Sequence, residues 1–303
     1  MTPLFRLMVL VGVCVVPHWA EEPIPSIGAA ARIGGVDGRG VNTVVMTVPV
    51  GESPISLTAM VAGRRVFTGN RQTVRLAGEL QIHSMPQEAA VTPDGRKAYV
   101  AHADENRVGV YNVATGAELA LIPVAEAPYA IAMHPDGTRV YVTAAKGANL
   151  AVISTQTNTV VQRIPIGQAG MTIAISPNGE RVFVAAQSGG AGAIWAIDTR
   201  ENKVAGVVRG SFGDAMAADG ERVYAIDDTG LVTLRAEPLA LLKTDPLEGY
   251  VSGIGVPERG GKLYLNYPLE NETKVLDRAT GKLEGAVSSG LFPVDVLIST
   301  RGR

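Results

Sequence analysis

A chain of 303 residues with 46% hydrophobic and 18% charged side chains has enough apolar content for a well-buried globular fold, which excludes a disordered one. Its 35 glycines and 18 prolines call for many tight turns. A formal net charge of −2 gives no long-range pull toward nucleic acid or an anionic membrane, so neither is expected as a partner.

The first 20 residues read as a secretory signal. Arg6 supplies a positive start, residues 7–16 an uninterrupted apolar core, and Ala20 a small residue before a cleavage site at Glu21. His18 is a poor residue two places before that cut. The run is too short for a helix to span a bilayer about 30 Å thick, so the mature chain is expected to have no membrane span. The plainer alternative is a buried N-terminal strand. Cys14 is the single cysteine, and Val13 before it does not suit a lipid-attachment site. Residues 21–303 would then form one exported domain, periplasmic or secreted, without a thiol. The four histidines, His18, His83, His102 and His134, include no pair at ligand spacing, so no metal site is expected.

Internal repetition is the strongest signal. Thr92-Pro93-Asp94-Gly95 leads to Tyr99, His134-Pro135-Asp136-Gly137 to Tyr141, and Ser176-Pro177-Asn178-Gly179 to Phe183. Shorter versions run from Asp219-Gly220 to Tyr224 and from Gly260-Gly261 to Tyr264, and an early copy places Phe67 after Gly63-Arg64-Arg65. The aromatic anchors fall at 67, 99, 141, 183, 224 and 264, a repeat of about 41 residues with a first spacing of 32.

Each unit reads as four short strands. A strand of small apolar residues comes first, as at 130–133. An Asp-Gly or Asn-Gly turn follows, because the hairpin needs residues that tolerate positive φ. The second strand carries the anchor. The third and fourth resemble 150–153 and 159–164, joined by a polar turn. Helical periodicity is absent. Four-stranded units of this length stack radially into a β-propeller.

The chain ends complete the count. Residues 42–51 match 158–167 closely, so the chain begins with the outer strands of a unit, and residues 293–298 begin a unit that stops. The fold expected is all-β, a single seven-bladed propeller closed by N- and C-terminal strands in one blade. Strand 294–298 would lie innermost and 43–49 outermost. The strands between would come from residues 24–40, with 29–33 the best candidate.

Here the chain resembles the YVTN family of β-propeller repeats, through Pro135-Asp136-Gly137-Thr138-Arg139-Val140-Tyr141-Val142-Thr143 and Asn158-Thr159-Val160-Val161. The resemblance covers nearly all of residues 40–300. It implies a propeller that is often exported. It also implies a role as a binding scaffold, as a subunit of a quinoprotein dehydrogenase, or as a lactonase. The asparagine usual at the fourth position stands at Asn70 but is replaced by His102, Ala144, Ala186, Asp227 and Tyr267.

Those positions share one face with the loops between blades, where binding residues gather on a rigid scaffold. His102 with Asp104 and Glu105 offers a general base with an orienting carboxylate, or a solvated loop. Asp227-Asp228 offers oxygen ligands for a cation, or a turn. Tyr129, Tyr250 and Phe292 offer stacking surfaces, or inter-blade packing, and Tyr267 lies on the same face. No nucleophile elbow, phosphate-binding loop or dinucleotide fingerprint is present, so no catalytic residue and no cofactor is assigned. The reading is an exported, non-enzymatic scaffold that binds a small molecule or a protein on one face. The alternative is an exported enzyme or enzyme subunit, a lactonase, a lyase or the partner of a quinoprotein dehydrogenase.

Overall fold

The computed structural model of the chain describes residues 86–124, 127–188, 191–257 and 261–288, and the backbone of eight strands outside them. Towards the N-terminus these strands are β1 (Leu7–Gly12), β2 (Arg32–Asp37), β3 (Val44–Pro49), β4 (Pro54–Ala59), β5 (Val66–Asn70), β6 (Thr73–Arg75) and β7 (Glu79–Gln81). One unit then runs β8 (Pro86–Val91), β9 (Lys97–His102), β10 (Arg107–Asn112) and β11 (Glu118–Pro123). The next is β12 (Pro128–Met133), β13 (Arg139–Ala144), β14 (Asn149–Ser154) and β15 (Thr159–Pro165). They are followed by β16 (Ala169–Ile175), β17 (Arg181–Ser188), β18 (Ala191–Asp198), β19 (Lys203–Arg209), β20 (Phe212–Ala218), β21 (Arg222–Asp227), β22 (Gly230–Arg235) and β23 (Ala240–Pro246). The last are β24 (Gly253–Gly255), β25 (Lys262–Tyr267), β26 (Glu272–Asp277), β27 (Leu283–Ser288) and β28 (Pro293–Ile298).

Five four-stranded antiparallel sheets follow one another from β8 to β27, each pairing its strands in chain order. Strands β4–β7 pair in the same way. The first-to-second anchor spacing of 32 is explained here, because β6 and β7 are three residues each. The chain ends pair in the order β28-β1-β2-β3.

The Asp-Gly and Asn-Gly turns form because Gly95, Gly137 and Gly179 adopt φ of 71°, 76° and 74°, a region a side chain rarely enters. The preceding Asp94, Asp136 and Asn178 each accept the backbone N–H two residues on, which fixes the turn locally. Close approach adds to the demand for glycine. A Cβ on Gly137 would lie 2.8 Å from Pro93, and one on Gly179 2.8 Å from the His134 ring, because the turns of neighbouring sheets stack.

The core lies between sheets. Tyr99, Val108 and Val110 pack with Ile131, Val140 and Ile153 of the next sheet. Tyr141, Leu150 and Val152 pack with Val182, Val184 and Ile197. Phe183 meets Val223 and Val232, and Tyr224 meets Leu263 and Leu265. Tyr99, Tyr141, Phe183 and Tyr224 are fully buried, and each apolar side chain so placed is worth about 1.5–3 kcal/mol in transfer from water. Innermost strands touch in succession, β4 to β8, β12, β16, β20 and β24, and so gather about a common axis.

Candidate functional site

The ends of the second strands and the loops that enter the first strands define one face, called upper here. The hairpin turns define the lower. On the lower face two anchor hydroxyls reach the next sheet. Tyr99 donates to Asn158 Oδ1 at 2.7 Å and Tyr141 to Asn202 Oδ1 at 3.1 Å. Lys97 Nζ donates to the Thr155 carbonyl, and Arg139 to the Thr199 carbonyl. His134 also works here. Its Nε2 lies 3.0 Å from the Gly179 carbonyl oxygen and its Nδ1 2.7 Å from Asp136.

The upper face is shaped by bulges. Between Pro86↔His102 and Ala89↔Val100 two residues, Gln87 and Glu88, oppose one. Tyr129 and Ala130 oppose Thr143 in the next sheet, and Met171 is the extra residue between Gly170↔Ala186 and Thr172↔Ala185. By backbone register Ile55 and Val294 hold the same place in β4 and β28. A bulge bends its strand and re-aims the side chain it carries. Here it does so where the inner strands approach the axis, and Gln87, Glu88, Tyr129 and Met171 are all half-buried. At the β12 bulge the ladder amides are taken by side chains. Ala130 N–H donates to Thr143 Oγ1 at 2.9 Å, and Ile131 N–H donates to Glu88 Oε2 at 2.8 Å, which ties one inner strand to the next.

The residues expected from sequence distribute unevenly around this mouth. Tyr129 is part of it. His102 is completely buried, and its ring partner is the Tyr111 hydroxyl, 3.1 Å from Nε2, with the rings edge to face. Burial raises the Tyr111 pKa above its ordinary value, with the charges of Glu118 and Glu105 adding to it. Asp104 is exposed in the loop beyond. Asp227 Oδ1 accepts the N–H groups of Thr229 and Gly230 and the Thr229 hydroxyl, and so closes the turn into β22. Tyr250 is 55% exposed in the loop leading to β24. Tyr267 is buried, with Lys274 Nζ 3.7 Å over its ring and Glu270 2.6 Å from that ammonium. Burial, with Glu270 adding to it, pushes the Tyr267 phenol up to about 12. Phe292 lies outside the described residues. Among the described residues no group of three or more His, Cys, Asp or Glu side chains is placed to hold a metal ion.

Gln87 and Met171 are the mouth residues that sequence reasoning missed, whereas Glu88, like Tyr129, falls in a loop between blades that the sequence places on this face. The bulged position has no compositional signature, since Ile55, Gln87, Tyr129 and Met171 share no chemistry. Alignment of the strand-opening Pro54, Pro86 and Pro128 is the signal that could have marked it.

No family model matches the chain, and no curated protein matches it. Solved structures do. The fold is similar to that in Kuenenia stuttgartiensis hydrazine synthase, at 20% identity and a TM-score of 0.73, over 82% of this chain and 90% of that one. It is similar to a functionally unknown protein from Desulfotomaculum acetoxidans, at 16% identity and a TM-score of 0.74, over 98% and 99% of the two chains. The β-propeller domain of Cps50 (Swd1) from Myceliophteria thermophila matches at 14% identity and a TM-score of 0.70, over 82% and 91%. This chain is therefore an all-β propeller. At these identities the likeness speaks for the fold and not for an activity.

Proposed function

We propose that the chain is an exported propeller scaffold whose upper mouth binds a ligand or a protein partner without performing chemistry. The bulges carry this reading. They recur at one register position of successive inner strands and present different side chains there, on sheets held rigid by their shared core. His102 sealed against Tyr111 supports packing rather than a general-base role, and Asp227 committed to its turn supports the turn rather than a cation ligand. Residues 6–20 support export, and the repeat phrase around Pro135-Asp136-Gly137 supports a place among YVTN repeats. The pairing β28-β1-β2-β3 supports seven blades closed by both chain ends, as does contact of β28 with β24 on one side and β4 on the other. The alternative, an enzyme subunit, is compatible with the likeness to hydrazine synthase.

A thermal-shift screen against sugars, lactones, quinones and metal ions tests the reading, since a ligand that binds the native state raises apparent stability by RT ln(1 + [L]/Kd). The expected result is a stabilising compound whose effect is lost in Tyr129→Ala and which the protein leaves chemically unchanged. Turnover of the compound would establish the alternative. A shift indifferent to Tyr129→Ala and Gln87→Ala would move the site off the mouth. N-terminal sequencing of the exported protein should return Glu21, and a sequence starting at Met1 would overturn the leader.

A further inference from the structure

Strand β1 occupies the second position of the sheet built from the two chain ends. It pairs antiparallel with β28 through Met8↔Ile298, Val9↔Leu297 and Leu10↔Val296, and with β2 through Leu7↔Asp37 to Gly12↔Arg32. In the sheets from β8 to β27 the second strand carries the anchor aromatic opposite a small residue, as in Ala90↔Tyr99 and Ala132↔Tyr141. Here Val9 opposite Leu297 holds that place. A strand inside a four-stranded ladder bonds along both edges, so its removal leaves donors and acceptors unpaired on β28 and on β2.

These residues are also the apolar core of the leader. Cleavage after Ala20 would sever them from β2, so that pairing alone would hold the strand in place. What remains of the connection, residues 21–31, is a poor substitute. Pro23 and Pro25 have no N–H to give a ladder and are tolerated at edges, not inside a sheet. Nor must the strand stay covalently joined. Residues 13–31 can reach on the order of 60 Å when extended, while paired strands lie about 4.8 Å apart, so the linker imposes no geometry.

We propose that the sheet has a strand slot between β28 and β2 and that residues 7–12 of this chain are its one occupant, held there by strand pairing even after the chain is cut between them and β2. Recognition would be strand addition, with main-chain bonds on both edges supplying affinity. This rests on the closed-ring reading above.

The test uses the full chain, retained in the cytoplasm, with a specific protease sequence in place of residues 17–22. After cutting of the folded protein, the N-terminal fragment should co-elute with the propeller on size exclusion and leave only in denaturant. A synthetic peptide of residues 6–13 should then raise the melting temperature of the separated propeller saturably, and the same peptide carrying Val9→Pro should not. In the uncut chain Val9→Pro should lower the melting temperature by several degrees. Release of the fragment with an unchanged melting temperature overturns the slot, as does an uncut Val9→Pro chain that melts like wild type. Deletion of residues 293–303 separates this failure from that of the ring. If the deletion lowers the melting temperature while the fragment leaves freely, the slot alone is wrong; if it changes nothing, the closed ring is wrong too.

Discussion

The His102 ring has no exposed surface, and its neighbour Tyr111 keeps its hydroxyl against it inside the sheet. A base that acts on a substrate must reach it, so truncation of a ring buried this way is expected to act on stability. His102→Ala should destabilise the protein by about 2–4 kcal/mol, from the cavity and the unpaired phenol together, as measured by denaturant melts. Tyr111→Phe should cost about 1 kcal/mol, because it removes one bond and keeps the ring. Equal stability of His102→Ala and wild type would return His102 to the list of reactive groups.

Titration shows the same local logic. The Asp198 carboxyl accepts N–H groups from Glu201 and Arg200 and faces the Arg181 guanidinium. The Glu201 amide leads these in holding it below the usual carboxylate range. A carboxyl whose pKa is depressed by folding stabilises the folded state at pH above its unfolded value, about 3.9. That contribution is lost as pH falls through the folded value. Melting temperature should therefore drop below about pH 4, and Asp198→Asn should flatten part of that drop. An identical acid profile in the variant would remove Asp198 from the account.

At the scale of elements, bulges do two different jobs. In the outer strands they leave Leu119, Val161 and Leu242 without a partner across the ladder, and these side chains are 47%, 55% and 49% exposed. An irregular edge resists pairing with another chain, which is how a sheet tolerates apolar residues on its rim. In the inner strands the bulges build the mouth, and Thr143 closes one of them by accepting the Ala130 N–H. Thr143→Val keeps the shape and removes the acceptor, so it should cost about 1–3 kcal/mol for a buried amide left unpaired. Hydrogen exchange at Ala130 should rise with it. A neutral Thr143→Val would mean that the freed amide finds another acceptor.

Strand order was legible where turn chemistry announces it. Asp94-Gly95, Asp136-Gly137 and Asn178-Gly179 mark hairpins because the backbone there needs positive φ, and Tyr99, Tyr141 and Phe183 mark the buried strand that follows. The bulges that shape the mouth were not legible, because a bulge is a mismatch between two strands and neither strand encodes it alone. One strand between β28 and β3 falls within the expected stretch, as β2, and starts three residues later than the best candidate. The other, β1, comes from the segment read as a leader, since an apolar run suits either use.

At the scale of the whole molecule, the lower face of the described sheets from β8 to β27 joins each sheet to the next. Asn202 accepts from the Tyr141 hydroxyl and from Arg139, and its own carbonyl accepts from Gln162, so one loop residue of one sheet receives three donors from the sheet before it. Arg181 spans in the same way, from Asp198 in its own sheet to Glu237 in the following one. Upper-mouth side chains such as Tyr129 and Gln87 sit instead at bulges that their backbone already holds in place. The two faces should therefore respond differently to truncation. Asn202→Ala should lower stability by about 1–3 kcal/mol, since Tyr141 is fully buried and loses its acceptor. Tyr129→Ala and Gln87→Ala should stay within about 1 kcal/mol of wild type and alter ligand response instead. Paired denaturant melts and thermal-shift titrations on the three variants check this. Loss of stability in the mouth variants equal to that in Asn202→Ala would make the mouth a packing element and leave the molecule without a face set apart for binding.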